Sequence, residues 1–263
     1  MSISLEFAPG LPLQISESEL SFKYGRGMFG PEPEMRRLDQ IRPSLRDPQC
    51  DGPDPVYGIA MDIGSDADRA GLQERMLLFG AVLYASGRLG SEPVRSQGHI
   101  HAVAPHCGWS TPEIFEIWSG TAIVYGQEFA ADDPGRCIAV VAGPGEKVVV
   151  PPGWAHCVIN ADCNRLMAFG AWCDRQYGFD YTGVRSHGGL AFFPVVAPDG
   201  RIEWTRNPRY RSVPLAERKT RDYPELILDP DTPIYEQYQS NPESVEWVAQ
   251  PQLFAPLWPD FEP

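Results

Sequence analysis

From Tyr57 onward the chain reads as short apolar runs cut by turn residues. "VYGIAMDI", "RMLLFGAVLYASG", "EIFEIWSGTAIVYGQEF", "CIAVVAGPGEKVVVPP", "HCVINA", "RLMAFGAWCD" and "GLAFFPVVAPDG" are rich in β-branched and aromatic residues. Each is bounded by Gly, Pro, Asn or Asp at spacings of about 10–15 residues, the pattern of an antiparallel sandwich or barrel. The flanks have another texture. Residues 1–55 are rich in Pro and charge, with helix expected only around "ESELSFKYG" or "PEMRRLDQIRPSL", and read as an N-terminal arm. Residues 56–200 are the expected barrel. Residues 201–263 return to Pro and acidic side chains, with sparse apolar anchors such as Trp247, Leu253 and Trp258. They are expected to form a C-terminal arm packed on the barrel or on a partner subunit.

Composition narrows the classes of function. The 263 residues are 43% hydrophobic, enough for one sizeable core, and the 27 Pro and 25 Gly favour short strands over long helices. A net charge of −13 leaves no basic footprint for a phosphate backbone or an anionic membrane. A phosphorylated small molecule remains admissible, held by local donors or a metal. The six cysteines (Cys50, Cys107, Cys137, Cys157, Cys163 and Cys173) include no C-x-x-C pair and read as reduced thiols. The start "MSISLEFAPGLPLQISES" lacks a basic head followed by an apolar run. No stretch reaches the roughly 18 apolar residues of a membrane span. A soluble cytoplasmic protein is therefore expected.

The chemistry concentrates in "GHIHAVAPHCGWSTPEIFEIWSG", Gly98 to Gly120. On a strand, His99 and His101 project to one side about 7 Å apart, so both imidazoles can converge on one ion about 2 Å from each. His156 follows in "PGEKVVVPPGWAHCVIN", where a later strand returns beside the first. Three histidines and a carboxylate suit Fe(II), Mn(II), Ni(II) or Zn(II) and leave positions open for substrate. Alternation in "PEIFEIWSG" puts Glu113, Phe115 and Ile117 on one face and Ile114, Glu116 and Trp118 on the other. Whichever glutamate faces the interior is the ligand candidate, and the other is expected to be a surface charge. Spacing does not choose between them.

These residues resemble the two cupin motifs, G-x-H-x-H…E…G at Gly98 to Gly120 and P-G-x-x-x-x-P-P-x-x-A-H-x-x-x-N at Pro144 to Asn160. "VPPGWAHCVIN" followed by "GFDYTGVRSHGG" resembles the cupin-type glucose-6-phosphate isomerase family, over about residues 55–210. "VYGIAMDI" and "FGAVLYASGRLG" resemble its upstream segments, and "PIYEQYQSNPESVEWV" the tail of longer bacterial members. The resemblance implies an all-β cupin jelly roll with one divalent transition metal per chain (Fe, Mn, Ni or Zn). Its ligands would be His99, His101, Glu113 and His156. The family's "PE-V-Y", written "PE-I-F" here, selects Glu113 over Glu116. The implied activity is aldose–ketose isomerisation of a sugar phosphate in glycolysis or gluconeogenesis, with Glu113 the catalytic proton carrier. Substrate contacts are implied at Tyr57, Ser96, Gly98 and Tyr181, and a homodimer by the long arms.

The chain also departs from the family pattern. Phe115 stands where tyrosine is usual, and Phe179 replaces the histidine of "GHDY". A tyrosine falls on Trp172 or Cys173, and a threonine on Ala81 or Val82. Ser96 keeps the hydroxyl of a usual threonine. Eleven residues separate His101 from Glu113, because a loop at 104–110 carrying His106 and Cys107 is inserted. Each hydrogen bond lost to a charged ligand costs about 1.5–3 kcal/mol, so the thinned pocket points to a changed substrate. Two alternatives follow: a divergent cupin of another class, such as an Fe(II)-dependent oxygenase or an epimerase, and a binding protein without turnover. Lesser candidates each have a plainer structural role: His106 and Cys107 as loop residues, His187 and Cys157 as packing, Arg185 and Arg95 as ion-pair partners.

Overall fold

The computed structural model describes residues 2–263, with side chains from residue 4 onward. Two sheets face each other across an apolar interior. The larger is antiparallel, in the order Lys147–Val150, Glu113–Ser119, Met167–Asp174, Leu77–Tyr84, Tyr57–Met61, Glu34–Arg36. The smaller places Ala155–Asn160, Ala122–Gln127 and Cys137–Ala142 antiparallel, and Leu215–Lys219 joins its edge in parallel. The expected all-β cupin sandwich is present.

Period-two alternation decides what each sheet buries. Val82, Tyr84, Phe115, Ile117, Phe169 and Ala171 of the larger sheet meet Val124, Ile138, Val140 and Val158 of the smaller one. Phe79, Ala81, Leu83, Ile114, Trp118 and Trp172 point the other way, into a second core built with the C-terminal segment. Both faces of the larger sheet are thus covered. That is why "LLFGAVLY" runs apolar without alternation and is buried along its whole length.

The covering segment includes the helices Ile234–Ser240 and Glu246–Ala249. Tyr235 stacks on Trp172 with ring centroids 5.4 Å apart and meets Phe79 edge-on at 5.0 Å. Trp247 and Trp258 are buried as anchors. Leu253, expected to be a third, is 60% exposed: it lies in the turn Pro251–Phe254, which presents it outward. The N-terminal segment contributes strands where helix was expected. "ESEL" makes one tight turn, and Ser21–Tyr24 pairs with Leu13–Ser16, because Leu20 and Phe22 alternate into the core. In "PEMRRLDQIRPSL" only Leu38–Ile41 is α-helical, preceded by the edge strand Glu34–Arg36.

Candidate metal centre

His99 and His156 lie opposite one another on adjacent antiparallel segments. Their backbones exchange hydrogen bonds of 3.0 and 2.9 Å. His101 follows on the same face, in the short strand Ile100–His101 paired with Phe179–Asp180. Glu113 opens the strand Glu113–Ser119 of the larger sheet and closes the group from across the interior. Gly98 makes the approach possible. Its φ is +89°, and a Cβ there would stand 2.9 Å from Leu190 Cδ1. One donor atom from each of His99, His101, Glu113 and His156 falls within 4.8 Å of the others.

Hydrogen bonds fix the ring orientations. His101 Nδ1 donates to the Thr111 carbonyl at 2.9 Å, and His156 Nδ1 to the Trp154 carbonyl at 3.1 Å. A carbonyl only accepts, so each Nδ1 carries the proton and each Nε2 presents a lone pair inward. Both Nε2 atoms then meet the same carboxylate oxygen, Glu113 Oε2, at 3.3 and 3.2 Å. Lone pairs facing a carboxylate repel unless a proton or a cation lies among them. The buried Nε2 of His99 has no hydrogen-bond partner, nor has that of His101. Three imidazole nitrogens and one carboxylate, with two of the rings oriented by outer hydrogen bonds and two of the inward Nε2 atoms unpartnered, fit a divalent transition metal.

The electrostatics agree. Burial opposes charge on Glu113, but the imidazoles of His101 and His156 beside its Oε2 prevail and hold the carboxyl well below the usual range. Burial, reinforced by His156 and His101, keeps His99 well below the ordinary histidine value and so neutral. Burial opposes charge on His101, but the adjacent Glu113 carboxylate outweighs it and raises the group. Cys173 Sγ donates to Glu113 Oε1 at 2.8 Å, leaving Oε2 to the histidines.

Glu116 corrects an expectation. It faces away from the histidines, as the alternation requires, yet it is no surface charge: it is fully buried. The C-terminal segment covers that face. Oε1 accepts from the Ile234 backbone at 2.8 Å, Oε2 accepts from Trp118 Nε1 at 3.1 Å, and Lys147 Nζ lies 3.7 Å away. Burial pushes the carboxyl up to about 7 against these stabilising partners.

A cavity opens beside the cluster. Ile59, Val82, Phe115, Val158, Phe169 and Ala171 give it an apolar wall, and Glu113 is its one carboxylate. Tyr57, Tyr84, Ser96, Gln97, Tyr181 and Arg36 form a polar side. Ser96 Oγ accepts from the Val158 backbone at 3.1 Å.

The glucose-6-phosphate isomerase (GPI) family matches residues 44–212. The chain belongs to that family.

Two relatives accompany the family match. Glucose-6-phosphate isomerase of Thermococcus kodakarensis is 29% identical over 139 residues, 53% of this chain and 67% of that protein. Putative glucose-6-phosphate isomerase 1 of Rhizobium meliloti is 28% identical over 138 residues, 51% of this chain and 58% of its own length. Among solved structures, an oxalate oxidase in complex with glycolate overlaps 46% of this chain and 52% of its own, with TM-score 0.34 and 16% identity. Vicilin from Corylus avellana overlaps 48% and 32%, with TM-score 0.34 and 13% identity.

Against this family pattern the remaining residues fall as follows. Tyr57, Ser96 and Tyr181 line the cavity; Gly98 does not, but its turn aims Gln97 and His99 into it. Phe115 occupies the apolar wall with its ring centroid 5.2 Å from Phe169, so no hydroxyl reaches the ligand there. Of the pair Trp172 and Cys173, Cys173 faces the metal cluster and Trp172 the outer core. Of Ala81 and Val82, Val82 faces the cavity.

The lesser candidates are occupied elsewhere. His106 contacts the Ala249 carbonyl at 2.9 Å and Asp174 at 3.1 Å. Cys107 hydrogen-bonds within its own loop. His187 stacks on Tyr210, Arg95 makes a buried ion pair with Glu92, and Cys157 is buried in the core behind the smaller sheet. Arg36 and Gln97 were not foreseen. Gln97 sits between Ser96 and Gly98 and could have been suspected; Arg36, in the Pro-rich flank, carries no motif.

Proposed function

We propose that this chain is a metal-dependent aldose–ketose isomerase acting on a sugar phosphate, with fructose 6-phosphate and glucose 6-phosphate as the first pair to test. The observation that carries it is the His99, His101, Glu113 and His156 cluster opening directly onto a cavity in a chain of this family. These four residues would hold one Fe, Mn, Ni or Zn ion. Once bound, such an ion supplies Lewis-acid stabilisation to adjacent sugar oxygens. Glu113, the one carboxylate on the cavity wall, is the group positioned to carry a proton between neighbouring carbons. His101 and His156 keep its Oε2 on the cluster, and Cys173 holds Oε1. Tyr57, Ser96 and Tyr181 bind and orient the sugar, and the apolar wall limits competing water.

The test is a coupled assay of purified protein reconstituted separately with Fe, Mn, Ni and Zn. Glucose 6-phosphate should form from fructose 6-phosphate with at least one metal and cease on chelation. No product with any of the four would refute the reading. The apolar wall of Val82, Phe115, Phe169 and Ala171 favours a second one: another cupin reaction class, an Fe(II)-dependent oxygenase or an epimerase, on a less polar molecule. Oxygen uptake by the Fe(II) form without isomerisation would select the oxygenase.

A further inference from the structure

The cavity has lost hydroxyl donors along one wall, yet a guanidinium from outside the family-matched residues has entered it. We propose that Arg36, supported by Arg185 at the rim, is the recognition site for the anionic end of the substrate. The ligand class, a phosphoryl group, rests on the isomerase reading; the site itself rests on geometry.

Arg36 ends the edge strand Glu34–Arg36, in register with Tyr57 of the next strand. Directly paired residues project to the same face, so both side chains arrive at the cavity together. Arg36 is the one Arg or Lys lining the cavity, and its side chain is only 18% exposed. Its carboxylate partner, Glu34, is 64% exposed. An ion pair with so open a partner is weak, and an incoming anion can displace it. Burial raises the Tyr57 phenol, and the Arg36 charge opposes that rise.

Arg36, Gln97 and Tyr181 also line the adjoining surface groove together with Arg185 and with Asp39, whose carboxylate is paired with Arg42. Arg185 donates to Gln97 Oε1 at 3.0 Å and stands 4.8 Å over the Tyr181 ring. Among the described residues it has no carboxylate within ion-pair distance. Beyond it, Arg46, Arg206 and Arg209 line the next groove and continue the positive surface. On a chain of net charge −13, two guanidiniums at one mouth with further arginines along the adjoining groove form an arrangement that captures and steers an anion. The orientation follows: the anionic end stays at the mouth with Arg36, Gln97 and Tyr181, and the neutral reacting carbons reach inward to Glu113.

The experiment is titration calorimetry of the metal-loaded protein with fructose 6-phosphate, inorganic phosphate and unphosphorylated fructose, for the parent, Arg36→Met, Arg36→Lys and Arg185→Met. Arg36→Met should weaken fructose 6-phosphate by about 10- to 100-fold, with metal content and fructose binding unchanged. Phosphate binding should fall in parallel, and Arg36→Lys should recover part of both. Arg185→Met, on an exposed side chain, should lose about threefold and covers the case in which Arg36→Met does not fold. In turnover the loss should appear in KM and spare kcat. Parent-like binding of phosphate and fructose 6-phosphate by Arg36→Met overturns the proposal, even if the enzyme isomerises. Arg36-dependent phosphate binding by a protein that isomerises nothing sustains it and removes the isomerase reading instead. A parent that binds neither phosphate nor fructose 6-phosphate ends both.

Discussion

Glu113 and Glu116 belong to one strand and meet opposite environments. Glu113 is held ionised among histidines; Glu116 is pushed towards neutrality beneath the C-terminal helix. Glu113→Gln should keep the fold and lower kcat by about 10²–10⁴ in the isomerase assay, the usual weight of a positioned proton carrier. His99→Ala and His156→Ala should each lose stoichiometric metal, read by mass spectrometry after gel filtration; full metal retention would dissolve the proposed centre. Glu116 makes a prediction of the other sign. A carboxyl whose folded pKa lies above its unfolded value stabilises fully below about 4.5, and that contribution is lost as pH rises through about 7. The parent should therefore lose stability between pH 4.5 and 7, by up to about 3 kcal/mol at ~1.4 kcal/mol per unit. Glu116→Gln, which keeps an acceptor for Ile234, should flatten that slope in denaturant titrations run across the window. An equal slope in both proteins would show that another group is responsible.

At the level of elements, the inserted loop is a small hairpin, Val103–Ala104 against Trp109–Ser110, turned at Gly108 with φ +74°. His106 fastens it to the strand Met167–Asp174 through Asp174 and to the helix Glu246–Ala249 through the Ala249 carbonyl. The loop thus ties barrel to C-terminal segment and adds no ligand to the cluster. His106→Ala removes the hydrogen bond to the Ala249 carbonyl and the imidazole beside Asp174, and should cost about 1 kcal/mol. Faster proteolysis near residues 249–255, with metal content unchanged, is the expected readout; lost metal would give His106 a part in the centre. Element type in the barrel was largely legible from alternation, as Glu113 with Phe115 shows, but not in the N-terminal segment, where "ESELSFKYG" was expected to be helical and Ser21–Tyr24 is a strand. Which face of Glu113–Ser119 looked inward was not legible, because both faces are apolar-flanked and both are covered.

At the scale of the whole molecule, no helix among the described residues is long and apolar enough to cross a membrane. One face of the larger sheet is buried against residues far along the chain. Phe79, Trp118 and Trp172 share a core with Tyr235, Tyr238, Trp247 and Val248. A chain ending at Asp222 would expose that apolar face, and exposed patches of this kind aggregate. It should bind a hydrophobic dye and lose cooperative unfolding; a soluble, cooperatively folding truncation would show that the barrel closes unaided.

Chain order alone supports the strand texture, the His-x-His pair, the returning His156 and the cupin resemblance, because these depend on local spacing and on side-chain types that repeat along a strand. It even orients Glu113 and Glu116 to opposite faces. What covers each face is a long-range matter. Residues 116 and 234 must meet before Glu116 becomes buried, and residues 36 and 57 must pair before a guanidinium reaches the cavity. Neither meeting leaves a periodicity in the sequence, since it depends on how distant segments fill the remaining apolar surface. Only the folded chain brings them together.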